Sequence, residues 1–178
     1  LGPDELERYF EPEATEETAS LYEHCARALD ARLESGPHDL PLMGSGDWND
    51  GMDRVGHRGR GESVWMGWFL HMNLVGFVPL AEARGDEQRV RAWRRRMDEL
   101  EEALERHGWD GDWYRRAYFD DGTPLGSSAN DECRIDSIAQ SWAVLSGVAR
   151  PSRQFRAMQS VEQYLVRRGD ALVLLFTP

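Results

Sequence analysis

The run GSGDWNDGMD, Gly44 to Asp53, places three carboxylates, an amide and an indole in the seven residues from Asp47 to Asp53, set among glycines. Two carboxylates three residues apart beside a tryptophan suit chemistry on a sugar. They offer an acid for the glycosidic oxygen, acceptors for hydroxyl groups and an apolar face against a pyranose ring. The same residues also read as an acidic turn, since Asp, Asn and Gly are ordinary turn formers. A calcium loop does not fit. An EF-hand needs glycine sixth after its first Asp and Glu twelfth, whereas Gly51 stands fifth from Asp47 and no Glu follows at the twelfth position.

A second polar cluster, Ser127 to Asp136, leads into an apolar segment, and its Glu132 reads either as a helix-start charge or as a pocket ligand. Between the clusters, His57, Arg58 and Arg60 stand among glycines, where they either meet an anion or face solvent. Arg115 and Arg116 read as members of structural ion pairs.

These side chains need elements to hold them. Residues 35–63 form a long glycine-rich connection that carries the first cluster as an active-site loop. Connections of this length in a compact domain are functional or disordered. Here Leu40, Leu42, Met43, Trp48 and Val55 supply apolar side chains to order it against a core. Ahead of it, residues 1–13 read as an N-terminal loop, and Leu21, Cys25, Ala28, Leu29 and Leu33 predict an amphipathic helix over 15–34, ended by Gly36 and Pro37.

Residues 64–83 are apolar on nearly all sides. Their length reaches the transmembrane range, but His71, Asn73 and Pro79 lie inside and charges flank both ends, so the segment reads as an inner helix of a helical core. Val90, Trp93, Met97, Leu100 and Leu104 instead form one stripe on a charged helix over 86–107, whose other side must face solvent. An inner helix followed by a one-sided outer helix is the unit of a helical hairpin array, and this alternation predicts an α/α barrel. Residues 109–126 predict a small β-hairpin. Two more helices are predicted, over 137–147 and 152–168, the second burying Phe155, Met158, Val161, Leu165 and Val166, with a strand-like tail from Ala171.

With 178 residues, 40% of them hydrophobic, the chain reads as a single unit with a real core. A net charge of -11 argues against nucleic acid or an anionic membrane as the main partner. Cys25 and Cys133 are alone and far apart, so no disulfide framework and no metal site is expected, and a reducing compartment fits. The start lacks both a signal-peptide pattern and an initiator methionine, so the chain reads as a piece of a longer one.

Three blocks, LPLMGSGDWNDGM (40–52), GESVWMGWFL (61–70) and WDGDWYRRAYFDDG (109–122) through ECRIDSIAQSWAVLSG (132–147), resemble in this order the family 94 glycoside hydrolases. Within that family they are most similar to the C-terminal phosphorylase-like region of cyclic β-1,2-glucan synthases. The resemblance implies an inverting phosphorylase on an (α/α)6 barrel, in which inorganic phosphate attacks the anomeric carbon of a β-glucan oligosaccharide and releases α-glucose 1-phosphate. Phosphate is already an anion, so one carboxylic acid suffices, whereas inverting hydrolases need a second carboxylate to activate water.

By position in the motif, the general acid falls on Asp50, with a raised pKa expected in a partly desolvated site. Asp47 and Trp48 fall at or beside the donor-sugar contacts, and Glu132 on an acceptor-sugar contact. No cofactor is implied beyond phosphate as co-substrate. The remainder of a parent chain is the implied partner, with this region cytoplasmic and the parent an inner-membrane protein.

The sequence also departs from the family. His38-Asp39 and Met52-Asp53 stand where His-Gly and Met-Asn are usual, about half the helices of a full barrel are present, and the family's phosphate-holding segment is missing. Unpartnered apolar faces on 64–83 and 137–147 predict self-association. Two other readings stay open: an inverting hydrolase with Asp47, Asp53 or Glu132 as base, and a non-catalytic glucan-binding module.

Overall fold

A computed structural model describes residues 11–178, apart from the side chain of Asp50. Within them the chain is mainly helical, with two small antiparallel sheets. Helix α1 spans Leu21–Asp30, α2 Val64–Ala83, α3 Glu87–Ala103, α4 Ser137–Leu145 and α5 Pro151–Tyr164. Local chemistry sets most of these boundaries. Ser20, Ser63, Asp86 and Asp136 each accept a first-turn N–H, from Glu23, Met66, Arg89 and Ile138 at 3.1, 3.0, 3.3 and 2.7 Å. Pro151 opens α5, where a missing N–H is no loss.

Helix α2 is the centre of the core. Its Val64, Trp68, Leu74 and Ala81 pack with Trp93 and Leu100 of α3, Ala139 of α4 and Ala157 of α5. Full burial of Leu74 and Leu100 contributes about 1.5–3 kcal/mol each. At Gly67 the lack of a side chain is required, because a Cβ there would lie 2.9 Å from Leu104 Cδ2. Leu104 belongs to the π turn Leu104–Gly108 that extends α3. By length and apolarity α2 meets the criteria for a bilayer span, but half of it is buried inside this chain, where it packs against α1, α3 and α4.

The first sheet joins β1 (Glu62–Ser63), β2 (Ala117–Tyr118) and β3 (Pro124–Leu125) in that order, with Ser63 opposite Ala117 and Ala117 opposite Leu125. The second pairs β4 (Val166–Arg167) with β5 (Leu172–Val173).

Several expectations are revised. Of the N-terminal loop 1–13, residues 1–10 lie outside the described residues. Helix α1 is shorter than 15–34, because residues 15–18 are exposed and have no apolar surface to bury, so the helix begins at the Ser20 cap. The expected hairpin gains a third strand, since the chain leading into α2 is extended and its backbone groups take partners from β2. Helix α5 ends at Tyr164, and only part of its expected face turns inward. Val161 and Leu165 are buried as expected, joined by Ala157 and Ser160, whereas Phe155 is 68% exposed and Met158 39%. Polar anchors set that rotation: Ser160 Oγ donates to Asp112 O at 2.9 Å, and Arg153 Nη1 donates to Glu105 Oε2 at 2.8 Å. Trp48 is 49% exposed and does not anchor the loop to the core, unlike Leu40, Met43 and Val55.

Candidate active site

Three carboxylates fasten loop 35–63. At its start, buried Glu62 accepts from His38 N at 2.9 Å and Leu40 N at 3.1 Å and meets His38 Nδ1 at 2.5 Å. A Cβ on Gly36 would fall 2.5 Å from Glu62 Cγ, so only glycine lets the chain pass so close. At its end, Asp120 accepts from the backbone N–H groups of Arg58, Arg60 and Gly61 at 3.0, 2.9 and 2.9 Å. Burial pushes the Asp120 carboxyl up, but those three donors outweigh it and hold the pKa below its ordinary value.

Asp47 fastens the middle. Its side chain is fully buried and accepts from Asn49 N at 3.1 Å and Ser63 Oγ at 2.8 Å. Arg116 Nη2 lies 2.8 Å from its Oδ1 and 2.7 Å from its Oδ2. Arg116 is itself buried and places Nε 3.5 Å from Asp136 Oδ2. Burial pushes the Asp136 carboxyl up, opposed by Arg116 and by the N–H groups of Ile138 and Ala139. One guanidinium therefore ties the site loop to the capping residues of both α2 and α4.

With Asp47 pinned inward, Trp48 is left at the surface. It meets Trp65 edge-on at 6.4 Å, Trp65 stacks on Phe69 at 5.4 Å, and Trp142 stands edge-on to both, at 5.9 and 5.3 Å. Trp48, Trp65 and Phe69 line a groove of about 610 Å³ together with Asp47, with Cys25 and Leu29 of α1 and Arg32 just beyond it. Asn49 Oδ1 accepts from Gly51 N at 3.1 Å and caps a single 3-10 turn, Asp50–Met52, so the backbone of Asp50 sits two residues beyond Trp48. The Asp50 side chain lies outside the described residues.

Asp47 and Trp48 thus come together at one groove. Glu132 is exposed on the segment before α4 and does not border that groove. Asp53 is half-buried at the end of the Asp50–Met52 turn. Arg115 is structural, donating to His107 O and Trp109 O at 2.9 Å and pairing with Asp110. Sequence reasoning missed the Arg116–Asp47 link and the groove aromatics Trp65 and Phe69. A partial signal existed, since Asp136 directly before an apolar helix reads as an N-cap, but its partner Arg116 lies on a different element. A half-exposed indole beside an acidic turn, at the rim of an apolar groove, can stack a sugar ring and present an acid to it.

The family described as the glycosyl hydrolase 94 superfamily, catalytic domain, matches residues 4–178. The chain belongs to this family. It is 53% identical over 100% of its length to the cyclic beta-(1,2)-glucan synthase NdvB of Rhizobium meliloti (strain 1021), of which it covers 6%. It is 34% identical over 94% of its length to the 3-O-beta-D-glucopyranosyl-beta-D-glucuronide phosphorylase of Paenibacillus borealis, covering 22% of that protein. The solabiose phosphorylase of the same organism is 37% identical over 86% of the chain, which covers 20% of it. The chain thus corresponds to less than a quarter of each of these proteins.

Proposed function

We propose that residues 1–178 form part of the (α/α)6 barrel of a family 94 phosphorylase acting on β-1,2-glucan or a related β-glucoside. Asp50 gives its proton to the glycosidic oxygen as the bond to the anomeric carbon breaks. An oxygen of inorganic phosphate forms the new bond from the opposite face, which inverts the centre and yields α-glucose 1-phosphate. Trp48 stacks on the donor sugar, and Glu132 contacts the acceptor sugar. Asp47 acts by holding Trp48 and the Asp50 turn against the groove, because its oxygens are committed to Asn49, Ser63 and Arg116. The same commitment disfavours a hydrolase with Asp47 as its base. The rest of the barrel and the phosphate contacts come from a parent chain, with this region in the cytoplasm.

The observation that carries the reading is the half-exposed Trp48 at the rim of the aromatic groove, followed at once by the Asn49-capped turn that begins with Asp50. The test is release of glucose 1-phosphate from short β-1,2-glucans with and without phosphate, comparing the parent protein that carries these residues with its Asp50→Asn variant. Phosphate-dependent release abolished by the substitution is expected. Release of glucose or oligosaccharide without phosphate would replace the phosphorylase by a hydrolase.

A further inference from the structure

The proposed reaction makes no use of the basic residues at the end of the site loop. Arg54, His57, Arg58 and Arg60, with Phe119 and Thr123, line a cleft of about 610 Å³. The four basic side chains are exposed, yet the backbone beneath them is fixed. Val55 and Gly56 are buried, and Asp120 holds the N–H groups of Arg58, Arg60 and Gly61. A Cβ on Gly61 would fall 2.3 Å from Val55 O, so the chain closes tightly on itself at this point. The side chains therefore project from a preformed base.

Asp120 and Asp121 also line the cleft and keep their negative charges, so three arginines face two carboxylates there. Asp120 is committed to three backbone donors, with His57 Nδ1 3.4 Å from its Oδ2, and Asp121 accepts from Thr123 N at 2.9 Å. Among the described residues, neither of these carboxylates forms an ion pair with Arg54, Arg58 or Arg60, although the chain has 32 acidic residues against 21 basic ones. Three arginines against two carboxylates leave the cleft net positive in an acidic protein, which favours an anion. Planar guanidinium forks match the paired oxygens of phosphate and carboxylate.

We propose that this cleft binds a small molecule through an oxyanion, a phosphate or carboxylate group, held by Arg58 and Arg60 and flanked by Arg54 and His57, with Phe119 against the ligand's apolar part. The volume is in the range of small-molecule sites and admits a sugar-sized body behind the charged group. The proposal does not depend on the phosphorylase reading, because it is tested by binding alone.

The experiment is an NMR titration of the arginine Nε–H and His57 ring signals at constant ionic strength. Inorganic phosphate and glucuronate are added separately, with glucose as neutral control and chloride as ionic control. Saturable shifts confined to the cleft are expected, with affinity about tenfold or more weaker in the Arg58→Gln, Arg60→Gln double variant. Both substituted side chains are exposed, so an unchanged melting temperature and unchanged remaining spectrum should confirm that the variant is folded. Saturation by phosphate alone would make the free ion the ligand chemistry, and saturation by glucuronate alone a sugar carboxylate. Shifts that chloride reproduces, that never saturate, or that survive in the double variant would overturn the proposal.

Discussion

Glu62, Asp47 and Asp120 hold the site loop through donors on segments distant in sequence, and each is an acid that sequence inspection alone would equally assign to chemistry. Arg116 reaches Asp47 across 69 residues, and Ser63 reaches it across 16. Removing one partner of a buried ion pair leaves the other uncompensated, so Arg116→Met is expected to lower stability by about 3–5 kcal/mol, read from denaturant unfolding at pH 7. The same variant should lose the ordered signal of the Trp48 indole N–H, since Trp48 takes its position from Asp47. Gly36→Ala is expected to cost about 1–3 kcal/mol, because the new methyl meets the Glu62 side chain at 2.5–2.7 Å and a buried carboxylate has little room to move. At this scale the residue types of the site were legible, and the commitment of their atoms was not. Asp47 read as a sugar acceptor because nothing near it in sequence indicates Arg116.

Helix α1 forms one wall of the groove yet buries little apolar surface, with Ala26 its one fully buried residue. Arg89 of α3 holds it, with Nη1 2.7 Å from Glu23 Oε2 and Nε 2.8 Å from Asp30 Oδ2, while Trp93 Nε1 donates to Asp30 Oδ1 at 2.9 Å. Arg89→Ala is expected to lower the local opening free energy of α1 by about 1–2 kcal/mol, seen as faster amide exchange in α1 while α2 and α3 stay protected. The Glu23 carboxyl is lowered to about 2, first by its hydrogen bond to Arg89 and then by Arg27. Because the folded value lies below the ordinary 4.5, this stabilisation is complete above that pH and is lost as pH falls from 4.5 toward 2. Melting temperature should decline across that window, and Glu23→Gln should flatten the decline. The helices themselves were largely legible, because caps and apolar periodicity are local signals. The rotation of α5 was legible only in part, since Val161 and Leu165 lie inside as their period indicates while Ala157, not Phe155 or Met158, shares that face, and the contacts of Ser160 and Arg153 decide which side turns inward.

Across the whole molecule, apolar side chains remain exposed on several helices, including Phe69, Met72, Val75 and Leu80 of α2, Leu145 of α4 and Phe155 of α5. Surfaces of this kind drive association. Sedimentation velocity over a tenfold range of protein concentration is expected to show growing assemblies, and Val75→Glu with Leu80→Glu should shift them toward the monomer without disturbing the buried positions Leu74 and Val78. The proposed barrel, in which further helices cover these faces, accounts for the same exposure. The sequence by itself determined which segments are helical, that α2 is apolar all round and α3 on one side, and which loop carries the acidic run and its indole, since propensity, capping and periodicity act over a few residues. Only the tertiary structure decided that Asp47 is a buried anchor, that Trp48 stands at a groove, that α1 is docked by Arg89 and that Arg54, Arg58 and Arg60 share a cleft. Those outcomes depend on partners brought together across tens of residues, where burial and pairing fix which donor each carboxylate receives.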